Sequence, residues 1–106
     1  MKSAVFSMLI ATAAMAAAPA LASAGLDLAQ KSNCLACHTV DKKLVGPSYR
    51  DIAKKYAGTK GAEEKLFEKL KKGGAGVWGP IPMPPNVQLK DEDIKSLVKW
   101  ILAGAK

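Results

Sequence analysis

Toward its end the chain repeats apolar side chains at Ile94, Leu97, Val98 and Ile101, the i, i+3, i+4, i+7 stripe of an amphipathic helix, with Trp100 widening the face. Asp91 to Asp93 place negative charge at the start of that helix, where the macrodipole favours it. A second apolar repeat runs through Tyr49, Ile52, Ala53 and Tyr56. Ser48 stands before it as an N-cap, with Asp51 three residues on as the acidic partner of a capping box, and Gly58 is placed to end the helix. Between these two, residues from about Ala62 to Lys72 predict a helix with Leu66, Phe67 and Leu70 inward, stopped by Gly73-Gly74. A weaker pattern around Leu28 and Leu35 predicts a first helix running toward the cysteines, capped by Asp27. The stretch from Gly73 to Asn86 holds four prolines and four glycines, which predicts a stiff, non-repetitive loop. No strand pattern, repeat or linker interrupts this order. The expected fold is therefore all-helical, with about four helices and one long Pro/Gly-rich loop.

The first residues carry a different pattern. Met1-Lys2 form a short positive start, an apolar run extends from Ala4 to Ala18, Pro19 breaks it, and Ala22-Ser23-Ala24 is a small-x-small site. That order predicts residues 1–24 as an export signal cleaved after Ala24. The domain is then residues 25–106, a single unit of 82 residues. The competing reading is an uncleaved anchor, but alanine dominates the run and is only weakly driven into lipid. No stable membrane insertion is expected.

Size and charge narrow the field further. Chains this short have marginal cores and often lean on a disulfide, a metal or another staple. Few aromatics remain after residue 24: Tyr49, Tyr56, Phe67, Trp78 and Trp100. The formal charge of +7 falls to +6 without Lys2. Nucleic acid is not an expected partner, because the chain is exported and has only Arg50 for bidentate phosphate contacts. Its scattered lysines suit a solvated surface that meets acidic proteins.

The chemistry concentrates in Cys34-Leu35-Ala36-Cys37-His38. Two thiols at this spacing can each add to one vinyl group of haem, and the adjacent histidine is placed to reach the iron. Three other readings stand beside it. A Cys34–Cys37 disulfide suits an oxidising compartment but leaves His38 unexplained. A thioredoxin-like pair needs a βαβ setting, which the pattern lacks. A zinc site needs four ligands, and beyond residue 24 there are only these three cysteine and histidine groups.

The other axial ligand follows by elimination. Met1, Met8 and Met15 lie in the signal, which leaves Met83, and His38 is the chain's one histidine. Met83 sits in Ile81-Pro82-Met83-Pro84-Pro85, where prolines fix the backbone and can hold a thioether in place. Packing into the core is the alternative role for Met83. Iron held by His38 and Met83 has no vacant position for a substrate, so the expected activity is electron transfer and not enzymatic catalysis. Two readings of other classes stay open: a haem enzyme or gas sensor in which Met83 dissociates, and a haem-free structural or metal-trafficking protein using Cys34 and Cys37.

Beyond the general CxxCH motif, the chain carries Val45-Gly46-Pro47, the run Gly76 to Asn86 around Met83, and Lys99-Trp100. On these residues it resembles the cytochrome c-551 family, the small class I monohaem cytochromes c of bacterial respiratory chains, over essentially all of 25–106. The resemblance implies one covalently attached haem c per chain, with helices wrapped around it and the first and last helices crossing. It implies that the Pro47 carbonyl accepts the ring N–H of His38, that Trp78 hydrogen-bonds a haem propionate, and that Asn86 helps hold the Met83 loop. Where relatives carry arginine near a propionate, this chain has Lys69, a less directed contact. Leu89-Lys90 replaces a better helix cap, leaving Asp91 as the expected cap. The resemblance further implies a periplasmic shuttle from a membrane quinol-oxidising complex to terminal reductases or oxidases, such as nitrite reductase or cytochrome c peroxidase, and a monomer is the natural expectation for a shuttle. Docking is expected at an exposed haem edge bordered by Leu44, Val45, Ile81, Pro82, Pro84 and Pro85, ringed by lysines such as Lys42 and Lys43, and facing acidic redox partners.

Overall fold

The computed structural model describes residues 18–106, so most of the predicted export signal lies outside the described residues. Among these residues four helices follow one another: α1 (Ala18–Lys31), α2 (Tyr49–Tyr56), α3 (Ala62–Lys72) and α4 (Asp91–Leu102), with a single 3-10 turn over Cys34–Ala36. Among the described residues there are no strands, only isolated bridges between His38 and Lys43 and between Gly74 and Met83. No helix among them is long and apolar enough to cross a membrane.

Helix α4 is the centre of the assembly and touches each of the other three. Its predicted stripe is the core: Ile94, Leu97, Val98, Trp100 and Ile101 are all buried, joined by Leu66 and Leu70 of α3, Tyr49 and Ile52 of α2, and Ala29 of α1. Each fully buried aliphatic side chain of this kind contributes roughly 1.5–3 kcal/mol. Phe67 is partly buried and packs on the outside of this cluster. The crossing of α1 over α4 depends on Gly25, since a Cβ there would lie 2.7 Å from Trp100 Cδ2.

Local signals set most helix ends. The Asp51 amide donates to Ser48 Oγ at 3.1 Å, which caps α2. Only that half of the expected capping box is formed. Gly61 and Gly73 bracket α3 with φ of 74° and 70°, conformations that favour glycine. Two expected caps are corrected. Asp27 lies inside α1 and does not cap it, because the alanine-rich segment before it is a strong helix former and carries the helix back to Ala18. Asp91 is the first helical residue of α4; the N-cap is Lys90, with extended backbone and no side-chain cap. The Asp91 carboxylate instead accepts from Lys71 Nζ at 3.0 Å, tying α4 to α3.

Candidate haem-binding site

Backbone bonds fold the segment after Cys37 back on itself. The Gly46 amide donates to the Cys37 carbonyl at 2.8 Å, and the Tyr49 and Arg50 amides donate to the carbonyls of Thr39 and Val40 at 2.9 and 3.2 Å. This closes Pro47 onto the histidine: His38 Nδ1 lies 2.7 Å from the Pro47 carbonyl oxygen. A carbonyl only accepts, so Nδ1 carries the proton. The lone pair of the neutral ring is then on Nε2, which makes no hydrogen bond among the described residues. That is the tautomer a metal ligand requires. Gly46 makes the approach possible, because a Cβ there would stand 2.5 Å from His38 Cε1 and 2.9 Å from Nδ1.

Cys34 and Cys37 are both free thiols and partly buried, at either end of the 3-10 turn just before His38. The turn leaves α1 through Asn33, whose φ of 61° reverses the chain. Beside them stands Tyr49, only 3% exposed. Its ring stacks on His38 at 5.4 Å and meets Trp100 edge-on at 5.0 Å. Burial, and after it the neighbouring Cys34 thiol, push the Tyr49 phenol well above its ordinary range. Desolvation likewise raises Cys34.

Met83 comes from the loop between α3 and α4, which is stitched at both ends. Met83 and Gly74 exchange backbone bonds of 2.8 and 2.9 Å. The Leu70 carbonyl accepts twice from Asn86, from its amide at 3.0 Å and from Nδ2 at 2.8 Å. The Met83 side chain is partly buried against the core, as are those of Cys34 and Leu35. Trp78, on the same loop, is half-exposed, and Lys55 Nζ lies 5.5 Å from its ring centroid. Cys34, His38 and Pro47 thus form one group around Tyr49, while Trp78, Met83 and Asn86 belong to the loop. No hydrogen bond joins the two groups among the described residues.

These residues fit a large apolar cofactor with a metal at its centre. An imidazole is oriented for ligation, two thiols precede it in the chain, and Leu44, Val45, Val77, Trp78 and Ile81 leave large apolar surfaces exposed on the surrounding loops. No three His, Cys, Asp or Glu side chains cluster to hold a metal ion among the described residues, so a protein-only zinc site has no ligand set there. Periodicity pointed to Tyr49 as a core residue, yet its contact with His38 joins segments that no local pattern relates. The Lys55–Trp78 contact has the same character.

Comparison with known proteins agrees with this geometry. A family model described as Cytochrome c matches residues 22–105. Cytochrome c-552 of Nitrosomonas europaea is 56% identical over 81 residues, covering 76% of this chain and 79% of that protein. Cytochrome c-551 of Pseudomonas aeruginosa is 46% identical over 95 residues, covering 90% of each chain. The crystal structure of wild-type Nitrosomonas europaea cytochrome c552 superposes with a TM-score of 0.73 at 54% identity, covering 74% of this chain and 98% of that one.

Proposed function

The chain belongs to the cytochrome c family and is a small haem c electron carrier; from that premise we propose that it is a periplasmic shuttle whose iron is held by His38 and Met83. The observation that carries the proposal is the 2.7 Å contact between His38 Nδ1 and the Pro47 carbonyl. It supports the reading by making Nδ1 a donor to Pro47 and leaving Nε2 as the nitrogen available to a metal. Cys34 and Cys37 hold the cofactor as thioethers, and haem supplies an iron that accepts and releases one electron at a time.

The protein's own residues decide how that electron moves. Pro47 and Tyr49 hold His38 in one orientation, and the loop bonds to Gly74 and Leu70 hold Met83. A ligand pair fixed in this way would change little with oxidation state and would leave a bound iron no position for a substrate. The soft Met83 sulfur favours the reduced form and so raises the potential. Trp78 and Lys69 are the proposed partners of a propionate, and Asn86 anchors the Met83 loop to α3.

Leu44, Val45 and Ile81 are 52, 49 and 64% exposed, and with Pro82, Pro84 and Pro85 they form the proposed docking face. Lys42 and Lys43 beside it steer acidic partners into brief encounters. The proposed donor is a membrane quinol-oxidising complex, and the acceptors are terminal reductases or oxidases such as nitrite reductase or cytochrome c peroxidase. Cleavage after Ala24 and a monomeric mature chain, residues 25–106, complete the proposal. Stopped-flow transfer to such an acceptor tests it. Val45→Glu is expected to slow the reaction while leaving the potential nearly unchanged; an unaltered rate contradicts the docking face.

A further inference from the structure

Among the described residues two buried donors in the core have no partner, the Tyr49 hydroxyl and Trp100 Nε1. Their rings touch, and Tyr49 also stacks on His38. A buried hydroxyl without a partner is unfavourable and calls for an acceptor that reaches it. Cys34 packs against the buried cluster that holds Tyr49, close enough for the phenol and the sulfur to interact. In the free thiol that sulfur is itself a donor, pointing at the Ser32 carbonyl at 3.9 Å. Conversion to a thioether replaces the S–H proton by carbon, and the sulfur becomes an acceptor only. The phenol then has an acceptor of complementary kind beside it.

We infer that Tyr49 is a positioning residue of the haem site, its hydroxyl donating to the Cys34 sulfur once that sulfur carries the cofactor while its ring braces His38 on the Pro47 carbonyl. The inference rests on the proposed attachment at Cys34. Tyr49 therefore touches both the covalent anchor and the iron ligand, and it links them to α4 through Trp100. A positive hydrogen-bond dipole held this close to the haem edge would favour the electron-rich, reduced state electrostatically.

The test uses the haem-loaded protein as exported and purified. Tyr49→Phe keeps the ring and deletes the hydroxyl; it is expected to lower the reduction potential and leave the His38 ring resonances in place. Tyr49→Leu removes the stack as well, and is expected to shift those resonances in addition. In wild-type protein, NMR is expected to show a slowly exchanging Tyr49 hydroxyl proton close to the Cys34 β-protons. A Tyr49→Phe potential equal to wild type, or a hydroxyl proton that exchanges with solvent at once, overturns the inference. Failure of the underlying reading is separate and visible: wild-type protein then carries no haem that survives denaturing electrophoresis.

Discussion

Alanine at Gly46 is the smallest change that attacks the site directly. Its methyl group would stand 2.5 Å from His38 Cε1 and 2.9 Å from Nδ1. Gly46 is not among the residues with positive φ, so the penalty comes from space and not from backbone conformation. Carbon atoms rest about 3.5–4.0 Å apart, so the ring or the chain must give by about 1 Å. The backbone is held on both sides, its amide bonded to Cys37 and its carbonyl to Leu44. The ring therefore yields. A shift of that size takes the His38–Pro47 contact from 2.7 Å beyond the usual hydrogen-bond range. Losing the bond costs about 1 kcal/mol and the overpacking about 1–3 kcal/mol, together roughly 2–4 kcal/mol. In a domain this small that corresponds to a fall in Tm on the order of 10–25 °C. Thermal unfolding of the oxidised holoprotein, read beside the His38 ring resonances, measures both consequences. Gly58→Ala is the control: φ is 71° with nothing within 4 Å, so it strains only its own backbone, by about 1–2 kcal/mol, and leaves His38 alone. A Gly46→Ala protein with unshifted His38 resonances and a Tm within a few degrees of wild type would refute the reasoning.

Three smaller changes probe the supports around the site. Ser48→Ala removes the buried oxygen that accepts from the Asp51 amide and is expected to destabilise by about 1 kcal/mol in denaturant titration, with no change in potential. Asn86→Ala loses the Nδ2 bond to Leu70 while the backbone bond remains; a loss of about 1 kcal/mol is expected, together with faster dissociation of Met83 measured by competition with added imidazole. Gly73→Ala places a Cβ 2.8 Å from the backbone nitrogen of Pro85 at a φ of 70°. With no side chain free to move aside, the Met83 loop must shift, and weakened Met83 ligation is expected in the oxidised spectrum.

Most of the scaffold was legible because its signals are local. Ser48, Gly73 and the 94–101 stripe each state a boundary or a face within a few residues, and α2, α3 and α4 follow them. The start of α1 was not legible from Asp27, since a good cap residue carries no weight where the preceding alanines already favour helix. Asp91 misled for a related reason: its carboxylate has a competing partner in Lys71, twenty positions away. The candidate ligands were legible from composition and spacing, with one histidine and one methionine beyond residue 24. What holds them was not. The Gly74–Met83 pairing runs between backbone atoms and leaves no side-chain period, and the His38–Tyr49–Trp100 contacts join three separate segments. Gly46 stood out in the sequence as part of Val45-Gly46-Pro47, whereas its structural role is to leave room for an imidazole.

The central claim is an iron held by His38 and Met83 in a covalently attached haem. The visible spectrum of the purified protein, oxidised and then reduced, tests it most directly. The account predicts a sharp two-banded reduced spectrum and a weak far-red sulfur-to-iron band in the oxidised state. A haem spectrum without that far-red band would contradict ligation by Met83, and properly matured protein without haem would contradict the account as a whole.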